Sequence, residues 1–261
     1  MDFNHIIYND HQDWVELKLN RPQVYNALNK ELLSELLEAF KHIENTDQVR
    51  CVVLTGEGKA FSSGQDLKAV GMDLKKVPFE EIVTTQYNPL IMKMRSLRKP
   101  IICKLNGVAA GAGCSLALAT DLIIASDEAY LAEIFTSIGL IMDAGSTYFL
   151  PRLLGSSKAF EIATMGTKVY GQEAVAMGLV SKSVPEADLD SAVLGYVNYY
   201  KSAPTYAIGL IKEMLGKSLS MSLEDVLQME AKYQNKAGAT SDFQEGVMAF
   251  LQKRKPEFKG K

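Results

Sequence analysis

Two short apolar runs, each followed directly by a glycine-rich segment, constrain the fold of this chain most. Residues 51–55 (CVVLT) lead into residues 56–67 (GEGKAFSSGQDL), and residues 101–105 (IICKL) lead into residues 106–116 (NGVAAGAGCSL). Short apolar runs bounded by turn-forming residues are typical of buried strands. Between the two runs and before them lie helical patterns, the first with Asn29 as a candidate N-cap. Strands that alternate with helices predict an α/β fold.

The pattern changes after about residue 203, where no further apolar β-run follows. Helices are predicted at residues 206–219, 223–237 and 242–253. We therefore divide the chain into an α/β core, residues 1–202, and a helical C-terminal region, residues 203–261. Such a helical region has to bury its apolar face on the core or on another subunit.

Composition excludes several classes of protein. The 261 residues carry a formal net charge of −3 and are 47% hydrophobic, which is too apolar for a disordered chain. That charge does not favour a nucleic-acid partner, which would call for a basic surface. No apolar run approaches the roughly 20 residues of a membrane span, and the N-terminus shows no secretory signal pattern. Three cysteines without a CxxC pair indicate reduced thiols, so we expect a cytoplasmic protein.

No metal site is predicted. The three histidines are His5, His11 and His42, and none of them belongs to an HExxH motif or a Cys/His cluster with zinc spacing. A serine–histidine triad has no GxSxG motif to support it. We expect chemistry carried by carboxylates and backbone groups.

Each glycine-rich segment has more than one interpretation. A strand that runs through small residues into a helix leaves backbone N–H groups unpaired, and these bind phosphate or stabilise an oxyanion. Neither segment matches the P-loop pattern, and the second matches the dinucleotide fingerprint only loosely. A third interpretation is that the glycines only permit tight turns and close packing.

Asp143 stands among apolar residues in the stretch IGLIMDAGSTYFL, just before a small-residue turn and a predicted helix. It can be an N-cap that satisfies the N–H of Ser146 or its neighbours. It can also be a carboxylate with a raised pKa that transfers protons. The residue pattern alone leaves both possibilities open.

The stretches AFSSGQDL, NGVAAGAGCSLALATD, IGLIMDAGSTYFLPRLLG, GLVSKSVP and EGVMAFLQKRKPEFKGK together resemble the crotonase superfamily of enoyl-CoA hydratases and isomerases. The resemblance runs from about residue 4 to the C-terminus. It implies a spiral of ββα turns, a helical C-terminal trimerisation region, and homotrimers or dimers of trimers. It also implies an acyl-CoA thioester as substrate, so that CoA enters with the substrate and no separate cofactor is needed.

The resemblance assigns roles to individual residues. It places the two oxyanion N–H donors at Ser63 and Ala112 and the proton-transferring carboxylate at Asp143. The substrate-binding residues that it implies are Ser62, Gly64, Gln65, Asp66, Leu67, Gly111, Ser115 and Phe135.

This chain departs from the hydratase pattern at three positions. Ser115 and Phe135 stand where hydratases carry their two glutamates, and Asp143 stands where they usually carry glycine. Glu133 lies two residues before Phe135 and, on a strand, would share its face. Within the superfamily, the chain resembles most closely the ring 1,2-epoxyphenylacetyl-CoA isomerase branch. This resemblance rests on Asp143, the phenylalanine at 135 and the EGVxAFLxKRxPxFxGK ending.

Three hypotheses follow. The first is an acyl-CoA isomerase in which Asp143 moves a proton beside the thioester, with 2-(1,2-epoxy-1,2-dihydrophenyl)acetyl-CoA as the preferred substrate and a Δ3-to-Δ2 enoyl-CoA shift as a related reaction. The second is an enoyl-CoA hydratase that recruits Glu133. The third is a CoA-ester-binding subunit without catalytic activity.

Overall fold

The computed structural model describes residues 2–69 and 76–261, and its strands form two sheets. The larger sheet has the strand order β1-β2-β3-β5-β7-β10 and comprises β1 (Ile6–Asp10), β2 (Trp14–Leu19), β3 (Cys51–Gly56), β5 (Ile101–Leu105), β7 (Leu122–Ser126) and β10 (Lys182–Val184). The smaller sheet comprises β4 (Ala60–Ser62), β6 (Val108–Ala110), β8 (Tyr130–Ala132) and β9 (Val169–Tyr170). All neighbouring strands are parallel except in the pairs β1/β2 and β8/β9.

The α-helices are α1 (Lys30–Glu44), α2 (Phe79–Ile82), α3 (Asn88–Ser96), α4 (Ala112–Leu118), α5 (Ser146–Leu154), α6 (Ser156–Met165), α7 (Gly171–Met177), α8 (Leu189–Tyr200), α9 (Thr205–Ser218), α10 (Leu223–Gly238) and α11 (Ser241–Leu251). Asn29 caps α1 as predicted, because its side-chain oxygen accepts a hydrogen bond from Leu32 N at 3.1 Å. A π-helical turn, Val83–Tyr87, joins α2 to α3.

The chain advances as a spiral. In each of three successive turns, a strand of the larger sheet is followed by a strand of the smaller sheet: β3 by β4, β5 by β6, and β7 by β8. Helices then return the chain, α2 and α3 after β4, α4 after β6, and α5 and α6 after β8. The predicted spiral of ββα turns is confirmed.

Both faces of the larger sheet are buried, which explains why its central strands are continuously apolar. On β3, Val52 and Leu54 point into the main core, while Cys51 and Val53 point to the other face, where α8 covers them. All three cysteines are buried and free.

The predicted C-terminal helices are confirmed as α9, α10 and α11. Helix α9 docks on the core through the buried Lys212, whose Nζ lies 2.7 Å from Asp121 Oδ2 and 2.9 Å from the carbonyl oxygen of Met94. Helix α11 leaves Phe250 83% exposed. The division at residue 203 and the trimerisation role of this region stay predictions. Within the described ranges, no helix is long and apolar enough to cross a membrane.

Candidate active site

A cavity of about 160 Å³ opens where the two glycine-rich segments, the π-helical turn and the segment after β8 meet. Its lining residues are Ser63, Gly64, Gln65, Leu67, Phe79, Ile82, Val83, Tyr87, Gly111, Ala112, Ile134, Phe135, Ser137, Ile138, Leu140 and Asp143. Most of them are apolar. The spiral brings these residues together because β4 and β6 are adjacent parallel strands and the loops that follow them leave at the same sheet edge.

The two glycine-rich loops touch each other. Gly64 has φ +93°, and a Cβ on it would lie 2.7 Å from the carbonyl oxygen of Ala110 and 3.4 Å from Ala112 N. A Cβ on Gly113 would lie 2.6 Å from the carbonyl oxygen of Ser62. These two glycines are therefore required by close packing, and that packing also places the Ala112 N–H at the cavity.

The structure corrects one of the predicted oxyanion donors. The N–H of Ser63 already donates to the carbonyl oxygen of Tyr25 at 2.9 Å, so it is not free for a ligand. Two residues later, the N–H of Gln65 has no acceptor in the described chain, because Leu28 pairs with Gly64 and Asp66 on either side of it.

The second predicted donor is available. Ala112 is the first residue of α4, and its N–H lacks an intrahelical acceptor. Gln65 and Ala112 thus each offer an unpaired N–H group at the cavity, one from each glycine-rich loop. The sequence offered no signal to choose among the N–H groups of one loop, since every residue there carries one.

Three of the predicted substrate-binding residues do not line the cavity. Ser62 is fully buried, and its hydroxyl donates to the carbonyl oxygen of Asn26 at 2.8 Å. Asp66 instead forms an ion pair, with Oδ2 2.8 Å from Arg21 Nη2. Ser115 lies within α4 and is fully buried. The remaining predicted positions, Gly64, Gln65, Leu67, Gly111 and Phe135, lie on the cavity wall.

Asp143 is not an N-cap. The residue at the N-cap of α5 is Gly145, and the contact to Ser146 N comes from the backbone carbonyl of Asp143, at 3.1 Å. The carboxyl group faces the cavity, and its buried Oδ1 has no hydrogen-bond partner among the described residues. Burial raises the pKa of Asp143 from 3.8 to about 6. A carboxylate with that pKa is a suitable general base near neutral pH.

Glu133 does not share a strand face with Phe135, contrary to the sequence-based expectation. Strand β8 ends at Ala132, and Phe135 begins a 3-10 turn that directs its ring to the cavity. Glu133 is fully buried away from the cavity wall, with Oε1 2.6 Å from Ser146 Oγ. Burial raises the pKa of Glu133 from 4.5 to about 7.

Tyr87 is a cavity residue that the sequence analysis missed. It lies in the π-helical turn, and its hydroxyl donates a hydrogen bond to Oε1 of Gln65. This bond fixes the side chain of Gln65, whose backbone N–H faces the cavity. π-Turns inside helices are often found at functional sites, but no sequence pattern marked this one.

The described residues contain no group of three or more His, Cys, Asp or Glu side chains arranged to hold a metal ion. The described site combines the N–H groups of Gln65 and Ala112, the carboxyl group of Asp143 and a mostly apolar wall.

Comparison with known proteins places this chain in a family. Residues 10–261 match the model of the enoyl-CoA hydratase/isomerase family. The chain is 38% identical to the 1,2-epoxyphenylacetyl-CoA isomerase of Escherichia coli K12, over 94% of both chains, and 38% identical to a "Probable enoyl-CoA hydratase" of Rhodobacter capsulatus, over 100% of both. A crystal structure of an enoyl-CoA hydratase from Bacillus anthracis superposes with a TM-score of 0.93 at 33% identity, covering 99% of this chain and 100% of that one. The chain belongs to the enoyl-CoA hydratase/isomerase family, the crotonase superfamily.

Proposed function

We propose that this protein is an acyl-CoA isomerase that moves a proton beside a CoA thioester. In this mechanism the N–H groups of Gln65 and Ala112 bind the thioester oxygen and stabilise the enolate that forms when a proton is lost. One such donor contributes about 3–4 kcal/mol to transition-state stabilisation. Asp143 removes the proton from one carbon and returns it to another. No cofactor is needed beyond the CoA of the substrate.

The observation that carries this proposal is the number of carboxylates at the cavity. Among the described residues that line it, Asp143 is the one carboxylate, and its Oδ1 is free to accept a proton. Addition of water needs one group to activate the water and a second to deliver a proton. A single carboxylate beside an apolar Phe135 favours a proton shuttle without water.

We further propose 2-(1,2-epoxy-1,2-dihydrophenyl)acetyl-CoA as the substrate and its oxepin isomer as the product. The cavity volume of about 160 Å³ is close to that of apolar cavities that hold one benzene ring. The Escherichia coli relative named 1,2-epoxyphenylacetyl-CoA isomerase supports the same choice. Product and substrate are isomers, so one base that takes and returns a proton is sufficient.

Enoyl-CoA hydratase is the second candidate, because the equally similar Rhodobacter capsulatus relative carries that name. It requires Glu133 to act on water. Burial of Glu133 behind the cavity wall disfavours this role.

A paired assay distinguishes the candidates. The purified protein is incubated with the ring epoxide, a 3-enoyl-CoA and crotonyl-CoA, and products are followed by absorbance and mass. The isomerase predicts a product of unchanged mass, and Asp143→Asn abolishes turnover while CoA-ester binding by calorimetry persists. A product heavier by one water, lost in Glu133→Gln, would establish the hydratase. Ester binding without any turnover would leave the non-catalytic binding subunit as the remaining hypothesis.

We also propose that the protein is a cytoplasmic homotrimer or dimer of trimers. Exposed apolar side chains on α10 and α11, among them Leu223, Phe250 and Leu251, support an intersubunit role for these helices. The buried free cysteines are consistent with a reducing compartment. Light scattering after size-exclusion chromatography tests the oligomeric state, and a monomer would contradict it.

A further inference from the structure

Three fully buried polar residues behind the cavity wall form a continuous chain of contacts. Ser146 Oγ lies 2.6 Å from Glu133 Oε1 and 2.8 Å from Ser115 Oγ, and each of the three residues has zero exposure. We call Glu133, Ser146 and Ser115 the buried polar bridge. Since a hydroxyl carries one hydrogen, Ser146 donates to one neighbour and accepts from the other. If the polar side chain of Glu133 or of Ser115 is removed, the buried hydroxyl of Ser146 loses one of its two hydrogen-bond partners.

Each member of the bridge lies close in sequence to a residue of the candidate active site. Ser115 is in α4, one helical turn after Ala112. Ser146 begins α5, three residues after Asp143. Glu133 follows β8, two residues before Phe135. The bridge therefore joins the three segments that carry an oxyanion donor, the base and the apolar wall.

The segment that carries the base has a strained backbone between Asp143 and the bridge. Ala144 has φ +49° and Gly145 has φ +89°, and the turn is closed by the bond from Ser146 N to the carbonyl oxygen of Asp143. A non-glycine residue with positive φ persists only where its surroundings hold it. The side chain of Ser146 supplies such a hold, because it is fixed from both sides.

Glu133 is suited to anchor the bridge in its neutral form. Within the described chain no basic side chain lies at salt-bridge distance from it, and its Oε2 has no hydrogen-bond partner. The titratable groups that face it are the thiol of Cys114 on α4 and the carboxyl of Asp143. A buried carboxyl without a cation is costly, and an apolar side chain of similar size would pack there at lower cost.

We propose that the buried polar bridge holds the carboxyl group of Asp143 at a fixed position relative to the Ala112 N–H, and that Glu133 is a positioning residue for the reaction. The inference rests on the proposed function for the roles of Asp143 and Ala112. It does not depend on which acyl group is the substrate.

The test compares Glu133→Met, Ser115→Ala, their double variant and Glu133→Gln with the wild type. Glutamine keeps an acceptor for Ser146, whereas methionine keeps the volume and removes the acceptor. Ser126→Ala is the matched control, because Ser126 is also buried and bonded through its hydroxyl but lies on β7, away from the cavity wall. We measure kcat and KM for isomerisation, and also the exchange of the C2 protons of phenylacetyl-CoA in deuterated water by mass. Exchange needs the base and the oxyanion donors but no rearrangement of the acyl group.

We expect Glu133→Met and Ser115→Ala each to lower kcat and the exchange rate about tenfold to a hundredfold with KM changed less than threefold, as for a base displaced by about 1 Å. The double variant shows about the loss of one single variant, because both act through Ser146. Glu133→Gln and Ser126→Ala stay within about threefold of wild type.

Several results would overturn the proposal. The first is that the losses of kcat in Glu133→Met and Ser115→Ala multiply in the double variant. The second is that kcat of Glu133→Met equals that of the wild type. The third is that Glu133→Gln loses as much of kcat as Glu133→Met. Absence of exchange in the wild type would also overturn it, together with the role of Asp143. A different result would contradict the proposed function alone. In that case the wild type exchanges the C2 protons and the variants lose this exchange, but the wild type isomerises neither the ring epoxide nor the 3-enoyl-CoA.

Discussion

Replacing Glu133 by glutamine should change how stability depends on pH. In the folded protein burial raises the pKa of Glu133 from 4.5 to about 7. Below pH 4.5 the group is protonated in both the folded and the unfolded chain. As pH rises from 4.5, the unfolded chain releases this proton while the folded protein retains it, so the free energy of unfolding falls until about pH 7.

The size of the effect follows from that pKa difference. About two and a half pH units, at about 1.4 kcal/mol per unit, correspond to about 3 kcal/mol. Glutamine cannot ionise, so Glu133→Gln lacks this loss. Between pH 4.5 and pH 8, the free energy of unfolding of the variant should therefore rise by about 3 kcal/mol relative to that of the wild type. This change does not depend on how the two proteins differ in stability at low pH.

Urea unfolding at fixed protein concentration, repeated at half-unit steps from pH 4.5 to 8, measures this difference. Glu38→Gln is the control, since Glu38 is an exposed carboxylate on α1 and its replacement removes no buried charge. A free-energy difference between Glu133→Gln and wild type that stays constant over this range would refute the argument. It would mean that the folded state solvates or pairs the Glu133 carboxylate.

Four further predictions concern the cavity. Asp143→Asn should lower kcat at least a thousandfold while calorimetry still detects CoA-ester binding; retained turnover would remove Asp143 from the mechanism. Because burial raises the pKa of Asp143 to about 6 and a base acts in its ionised form, kcat/KM of the wild type should fall tenfold per unit below pH 6; a flat profile down to pH 5 would contradict this. Gly64→Ala should destabilise the protein by about 1–3 kcal/mol and lower kcat, because φ is +93° and the new Cβ would meet the carbonyl oxygen of Ala110; thermal unfolding tests it, and an unchanged Tm would be the contrary result. Tyr87→Phe should lower kcat/KM severalfold through the lost bond to Gln65, with the melting temperature as control; kinetics equal to wild type would show that this bond does not position the donor loop.

Much of the fold was predictable because it rests on local patterns. The apolar runs at β3 and β5, the cap at Asn29 and the three C-terminal helices all depend on the spacing of side chains within one segment. The resemblance to a known family then supplied the spiral, which no local pattern determines. It also directed attention to Asp143, whose carboxyl does line the cavity.

The errors concern contacts between segments distant in sequence and the point at which one strand ends. Ser63 was expected to donate to the substrate, but its N–H is taken by Tyr25, 38 residues earlier. Glu133 was expected to share a face with Phe135, but the strand ends at Ala132. Tyr87 lies in a π-helical turn, and its hydroxyl donates to Gln65, 22 residues earlier in the chain.

The sequence by itself determined the alternation of strands and helices followed by a helical C-terminal region, and the presence of a carboxylate, Asp143, downstream of two loops rich in glycine. Only the tertiary structure decided which N–H groups remain unpaired, that Asp143 is not a helix cap, and that Glu133 lies behind the wall. The physical reason is that hydrogen-bond satisfaction and burial are properties of the whole packed molecule. A backbone N–H or a carboxyl group becomes reactive or inert according to partners that the chain brings to it from elsewhere.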